Sequence, residues 1–171
     1  LLEQRASRGD EPRLPARLGG QLLPDVQEGV RELLGLRVLG DCNLPGLRAL
    51  LASSGVRGQP TAQDLAFRIA PRLNAAGRLG RAELSFRLLA CDAAAAAPGL
   101  CAELEALNKE RREIQEREMQ RLAPDVAAQR ESGTGVIFAG RTDAHFGVLG
   151  VVAGQVLEST GLPTLLWAEC A

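Results

Sequence analysis

The sequence predicts an α/β fold in which a string of short helices leads into one long helix and then into a strand–helix–strand unit. Three observations carry that expectation. Apolar residues recur at helical spacing through much of the first two thirds of the chain. Residues 100–122 form one long charged run with a thin apolar stripe. After residue 132 the pattern changes to short apolar runs on either side of a glycine-containing helix. With 171 residues, 46% hydrophobic and 24% charged, the chain can bury one ordinary core or two small ones.

Residues 1–24 carry Arg, Gly, Pro and Glu without a sustained period and read as loop or disorder. From Asp25 to Leu39, Val26, Val30, Leu33, Leu34 and Val38 follow helical spacing, and Gly40-Asp41-Cys42-Asn43 breaks the helix. Pro45 suits the first turn of a short helix through Leu51, ended by Gly55. Thr61 and Asp64 have the spacing of a capping box. The helix they open carries Leu65, Phe67 and Ile69, and Pro71 is expected to stop or kink it. Ala82–Ala90 is another short helix with Leu84 and Leu88 on one face, followed by an alanine run before Pro98.

Residues 100–122 place Leu100, Leu104, Leu107, Ile114 and Leu122 in an interrupted stripe, with Glu113 and Arg117 as an i,i+4 pair. At 1.5 Å per residue the run spans roughly 35 Å. Such a helix suits either a bridge between two lobes or the solvated face of an ordinary surface helix. Gly135–Ala139 reads as a buried strand, Gly147–Thr160 as a helix, and Thr164–Ala168 as a second strand. A crossover of that length implies parallel strands.

Net charge is −1, so the bulk field gives no support for nonspecific nucleic-acid binding, and any such binding must rest on local clusters. Lys109 is the only lysine, and the other basic side chains are arginine forks suited to carboxylate or phosphate. The cysteines at 42, 91, 101 and 170 have no zinc or redox spacing, and scattered thiols fit a reducing, cytoplasmic setting. No apolar run approaches the roughly 18 residues of a membrane span. The chain begins with Leu1 rather than methionine, which fits a fragment of a longer protein.

Two stretches can carry chemistry. The first is PRLNAAGRLG, residues 71–80, read as a tight small-residue turn outside the core. Arg68, Arg72, Arg78, Arg81 and Arg87 fall around it against the single acid Glu83. Such a cluster suits a phosphate, because a planar fork bonds two oxygens at once. It equally suits structural arginines that pair with acids nearby. The second is RTDAHFGVLGVVAG, residues 141–154, which holds the only histidine, His145, at a helix start opening with Gly147. Free N–H groups there favour an anion, with Arg141 close by. A helix cap is the plainer role for His145. The glycine spacing is not a dinucleotide fingerprint. The aspartates are dispersed and form no D-x-D pair, so no two-metal site is evident.

Taken together, these residues match a family. Phe67 to Gly80 resembles the signature of the RecJ single-strand-specific exonucleases of the DHH/DHHA1 phosphoesterase superfamily. Gly35-Leu36 with Pro45-Gly46-Leu47, Leu107-Asn108-x-x-Arg111-Arg112, and His145-x-Gly147-Val148-x-Gly150 match in order and spacing. By this resemblance residues 25–98 are the C-terminal part of a DHH domain, 99–130 the linker helix and 131–171 the N-terminal part of a DHHA1 domain, with 1–24 unassigned. The resemblance implies a 5′-to-3′ exonuclease of DNA repair and recombination, acting on single-stranded DNA with Mn²⁺ or Mg²⁺. It implies that Asn74 and Arg78 hold the phosphate being cleaved, that Arg72 supports the motif or the strand, and that His145, Gly147 and Arg141 face the nucleic acid. The family's metal ligands lie N-terminal to these segments, so no metal ligand is expected here, and the segment alone is expected to be inactive. Departures occur at Ala144-His145-Phe146-Gly147, where the family has Trp-His-Pro-Gly, and at Gly154-Gln155, where it often has Ser-Arg. The rival readings are a related phosphoesterase on short oligoribonucleotides or cyclic dinucleotides, and a non-catalytic module that binds single strands.

Overall fold

Two hydrophobic cores lie along one helix. In the computed structural model, which describes residues 17–18, 21–22 and 24–169, that helix is α6, Ala97–Glu131. Its 35 residues span about 52 Å. Leu100, Cys101, Leu104 and Leu107 enter the first core, and Ile114 and Leu122 enter the second. The apolar stripe is thin at any one level because each half serves a different core. The helix runs through Pro124, beyond the 100–122 run and close to the expected end at 130.

Before α6 come two paired two-residue strands, β1 (Arg17–Leu18) and β2 (Gln21–Leu22), where loop was expected. The rest of residues 1–16, with 19–20 and 23, lies outside the described residues. Helix α1 is Pro24–Asp41. Leu33, Leu34 and Val38 on it are exposed, so its apolar spacing does not mark a buried face. The side chains of Val26 and Val30 lie outside the described residues.

Helix α2, Pro45–Ser53, starts on Pro45 as expected and buries Leu50. Thr61 caps α3, Ala62–Asp64. Its hydroxyl oxygen accepts from the Asp64 N–H at 3.1 Å, and its own N–H donates back to Asp64 Oδ2 at 3.1 Å. The Thr61 hydroxyl, which donates to Asp64 Oδ2 at 2.7 Å, then the Thr61 N–H, and more weakly the charge of Arg68, hold the Asp64 carboxyl below its ordinary range.

Pro71 does not stop the helix. The turn before it, Leu65–Ile69, is wound as a π-helix, and α4 follows as Ala70–Arg78. A proline cannot donate to the carbonyl four residues back, and its ring crowds that carbonyl. Widening the turn by one residue, with Ala70 N–H bonding Leu65 O, relieves the conflict without ending the helix. PRLNAAGRLG is therefore mostly helix, not a turn, and its alanines are core: Ala75 and Ala76 are fully buried. Small side chains let α4 pack closely on α6. The closing glycine has a specific use. Gly80 has φ +74°, and Gly80 N–H and Arg81 N–H bond the carbonyls of Gly77 and Ala76, a Schellman ending for α4.

Helix α5, Ala82–Leu89, buries Leu84 and Leu88 in the first core, as its spacing predicts. Ser85 Oγ bonds Leu73 O at 2.8 Å and ties α5 to α4. After α6 the chain forms β3 (Ile137–Arg141), α7 (Phe146–Thr160) and β4 (Thr164–Ala168). The strands pair in parallel with Ile137 opposite Thr164. β3 starts two residues later than expected because Thr134 is still occupied in ending α6, where its N–H and hydroxyl both bond Gln129 O. Gln129 also bonds the Phe138 N–H and C=O, at 2.8 and 2.9 Å, and so satisfies part of that strand's free edge. The ion pair of Glu113 runs back to Lys109 at 3.8 Å rather than forward to Arg117.

The two-core arrangement has a direct consequence. Leu122→Ala, at a fully buried site of the second core, should cost about 2–5 kcal/mol. Hydrogen exchange should then rise in β3 and α7 while α2 and α5 stay protected. An equal rise in all four elements would contradict two separable cores.

Candidate functional site

The two lobes meet where α4 ends and α7 begins. Arg78, the last residue of α4, donates from Nη1 to Gly147 O at 3.1 Å. Gly147, in the first turn of α7, lies against Arg78 in return: a Cβ built on it would stand 1.9 Å from Arg78 O. No side chain fits there. Leu79, next in sequence, packs against both hydrophobic cores. The seam thus consists of one side-chain hydrogen bond, one bare backbone approach and one shared leucine.

A cleft of about 1220 Å³ opens beside this seam. One wall is α4 and the start of α5, with Asn74, Arg78 and Ser85. The other is the small-residue face of α7, with Gly147, Gly150 and Ala153, and β4 with Trp167 closes it. Asn74 and Arg78 are one helical turn apart and share a face of α4. Among the described residues no carboxylate lines the cleft. Arg78 is half-buried and forms no ion pair among the described residues.

The other arginines of the motif are structural. Arg72 Nε bonds Glu105 Oε2 on α6 at 2.6 Å, and its Nη1 bonds Arg68 O. It braces α4 against α6 and does not line the cleft, so the structure turns it away from the place expected of a substrate contact. Arg68 pairs with Asp64 and bonds Gly55 O, and Arg81 pairs with Glu103. Arg141 is likewise spent: it pairs with Asp125 at 2.5 Å and bonds Arg121 O on α6.

His145 precedes α7 but forms no side-chain cap. It lines a second cavity of about 590 Å³ on the α6 side, with Ile114, Arg117, Glu118, Arg121 and Asp143. Its Nδ1 is buried without a partner. The expected grouping therefore divides. Asn74, Arg78 and Gly147 come together on one cleft, whereas His145, whose ring lies beside Gly147, lines another cavity, and Arg72 and Arg141 are bound to acids. Arg121, on the wall of that second cavity, bonds Asp143 at 2.5 Å. That bond holds the Asp143 carboxyl below its ordinary range and raises Arg121. Sequence reasoning missed the wall formed by β4 and Ser85, because nothing local marks residues so distant as neighbours.

Among the described residues no three His, Cys, Asp or Glu side chains converge to hold a metal ion. The acids nearest the seam are committed to arginines. These residues do not fit a divalent-metal centre. No described helix is long and apolar enough to cross a membrane.

Comparison with known proteins agrees with the motifs. The chain is 42% identical over 124 residues to the single-stranded-DNA-specific exonuclease RecJ of Thermus thermophilus, covering 72% of this chain and 18% of that protein. It is 35% identical over 133 residues to RecJ of Escherichia coli K12, covering 75% of this chain and 23% of that one. In structure it matches the crystal structure of Thermus thermophilus RecJ in complex with Mn²⁺, with a TM-score of 0.71 and 40% identity, over 78% of this chain and 20% of that one. It also matches a crystal structure of exonuclease RecJ bound to manganese, with a TM-score of 0.67 and 39% identity, over 79% of this chain and 34% of that one. No protein-family model matches.

The close approach at Gly147 makes a controlled prediction. Alanine in place of glycine within a helix usually stabilises by roughly 0.5–1 kcal/mol. Gly150→Ala, with nothing within 4 Å of the new Cβ, should follow that rule. Gly147→Ala should instead lower the melting temperature, because the new methyl meets backbone rather than a movable side chain. Equal behaviour of the two variants would contradict the seam. In sequence and in fold, the chain corresponds to about a fifth of the RecJ single-strand-specific exonucleases.

Proposed function

We propose that the chain is the phosphate-holding part of a RecJ-type, metal-dependent 5′-to-3′ exonuclease acting on single-stranded DNA in the cytoplasm. In this reading residues 25–98 are the end of a DHH domain, 99–130 the linker helix and 131–171 the start of a DHHA1 domain. The observation that carries it is Arg78. It is a half-buried guanidinium with no carboxylate partner among the described residues, beside Asn74, on a cleft at the lobe seam of a chain similar to RecJ.

A guanidinium has five N–H donors, and Arg78 gives one to Gly147 O. Those that remain suit two oxygens of one phosphate, with the Asn74 amide as a further donor. Hydrolysis of a phosphodiester builds negative charge on the non-bridging oxygens as the new bond forms. A cation fixed beforehand gains more from that transition state than from the ground state. The bond to Gly147 supplies the fixing, so the seam between the lobes also orients Arg78. The carboxylates of a metal centre are not among these residues, and the reading assigns them to the remainder of a longer exonuclease.

Trp167 lines the cleft and is the only tryptophan, so its fluorescence can report binding by the 171-residue chain. A 5′-phosphorylated oligothymidylate should bind more weakly as salt rises, with a log–log slope of about −0.7 per phosphate engaged. Arg78→Ala should weaken binding roughly tenfold or more and flatten the slope, and Asn74→Ala should weaken it without changing the slope. Arg72→Ala should change neither, provided the fold survives. Tighter binding of a diribonucleotide than of the oligothymidylate would favour the oligoribonucleotide phosphoesterase instead. Unchanged affinity and slope in Arg78→Ala would contradict the phosphate role.

A further inference from the structure

The cleft beside the seam carries an aromatic ring that the fold does not use. Phe146, the first residue of α7, lines it and is 71% exposed. The residue belongs to neither hydrophobic core. Trp167, which lines the same cleft, has a structural reason for its place. It is paired with Gly140 across the strands, and a Cβ built on Gly140 would stand 2.6 Å from Trp167 Cδ2, so the indole lies against that glycine. Phe67, Phe86 and Phe138 are exposed as well, but they do not line the cleft.

Phe146 is tied to Arg78 by geometry. It directly precedes Gly147, whose carbonyl accepts from Arg78 Nη1 at 3.1 Å and whose Cα lies against the Arg78 backbone. Neighbouring Cα atoms are about 3.8 Å apart, so the ring is rooted one residue from the group that fixes the guanidinium. Phe146, Asn74 and Arg78 line one cleft, with no carboxylate among the described residues lining it. The next turn of α7 leaves room over the ring. Gly150 stands four residues on, where a side chain would lean back toward residue 146, and nothing lies within 4 Å of a Cβ built there. A fixed cation beside a bare ring, with open space above it, suits a ligand with an anionic end and a flat apolar face. A nucleotide has both, joined through one sugar. A free phosphate would leave the ring in water.

We propose that Phe146 is a stacking platform for the base of the nucleotide whose phosphate Arg78 holds. The inference rests on the phosphate role of Arg78 and adds to it a contact with the base. Every base has a π-face, so the contact tolerates any sequence. It selects a strand that carries bases over a bare sugar-phosphate chain. Arg78 then supplies the salt-dependent part of binding, and Phe146 a part that salt does not screen.

The test compares two fluorescently labelled strands of equal length, each with a 5′-phosphate: an oligothymidylate and an abasic strand of tetrahydrofuran residues. Binding to the full 171-residue chain is read by anisotropy across a salt series. The wild-type chain is expected to prefer the oligothymidylate roughly tenfold or more. Phe146→Ala should lose most of that preference, with the salt slope and the affinity for the abasic strand unchanged. Phe146→Trp should keep the preference, and Phe146→Leu, apolar but without a flat ring, should lose most of it. Arg78→Ala should weaken both strands and flatten the slope. A wild-type preference in Phe146→Ala, with Arg78→Ala weakened, would overturn the platform and leave the Arg78 reading standing. Equal losses on both strands in Phe146→Ala would also overturn it, because they would mark a role in the helix start and not in holding a base. Wild-type affinity and slope in Arg78→Ala would overturn the phosphate reading and the platform with it.

Discussion

The structure depends on one helix serving two cores. The first core is built around α2, α4 and α5, and the second around β3, β4 and α7. Each is completed from α6, the first by Leu100, Leu104 and Leu107 and the second by Ile114 and Leu122. A helix this long with so thin a stripe gains little from isolated propensity, so tertiary packing in both halves is what keeps it helical. The consequence for function is geometric. With α6 shared, the end of α4 and the start of α7 are held at a fixed separation. The Arg78–Gly147 bond and the packing of Leu79 against both cores then become possible.

This shared frame explains how the arginines are sorted. Side chains that brace one element on another meet carboxylates: Arg72 reaches Glu105, Arg141 reaches Asp125 and Arg121 reaches Asp143. Arg78, at the seam, meets a neutral oxygen, that of Gly147. A cation paired with an acid is already neutralised and has little to offer an incoming anion. A cation fixed by carbonyls and amides keeps its charge and its remaining donors. Position along the chain does not make this distinction, since Arg72 and Arg78 belong to the same ten-residue motif.

Much of the fold was legible because its signals are local. The Thr61–Asp64 capping box, Pro45 at a helix start, the paired Leu84 and Leu88, and the strand Thr164–Ala168 each follow from neighbouring residues. The motif itself was misread for a physical reason. Proline and two glycines suggest a turn, but a π-turn absorbs Pro71, and the small residues serve tight helix packing. The site was legible only in part. Asn74, Arg78 and Gly147 stand out by type and spacing, but whether an arginine is spent on an acid depends on residues distant in sequence. Arg72 and Arg141 could not be separated from Arg78 without Glu105 and Asp125 in view, and His145 could not be assigned to its own cavity.

The central claim is that Arg78, held by a backbone carbonyl, and not the arginines paired with acids, receives the phosphate. Nuclear magnetic resonance of the arginine side-chain N–H groups tests it most directly, on the 171-residue chain with and without a 5′-phosphorylated oligothymidylate. The account predicts that the Arg78 signals move on addition of the oligonucleotide, while those of Arg72 and Arg141 stay in place. Movement of Arg72 or Arg141 with Arg78 unaffected would contradict it.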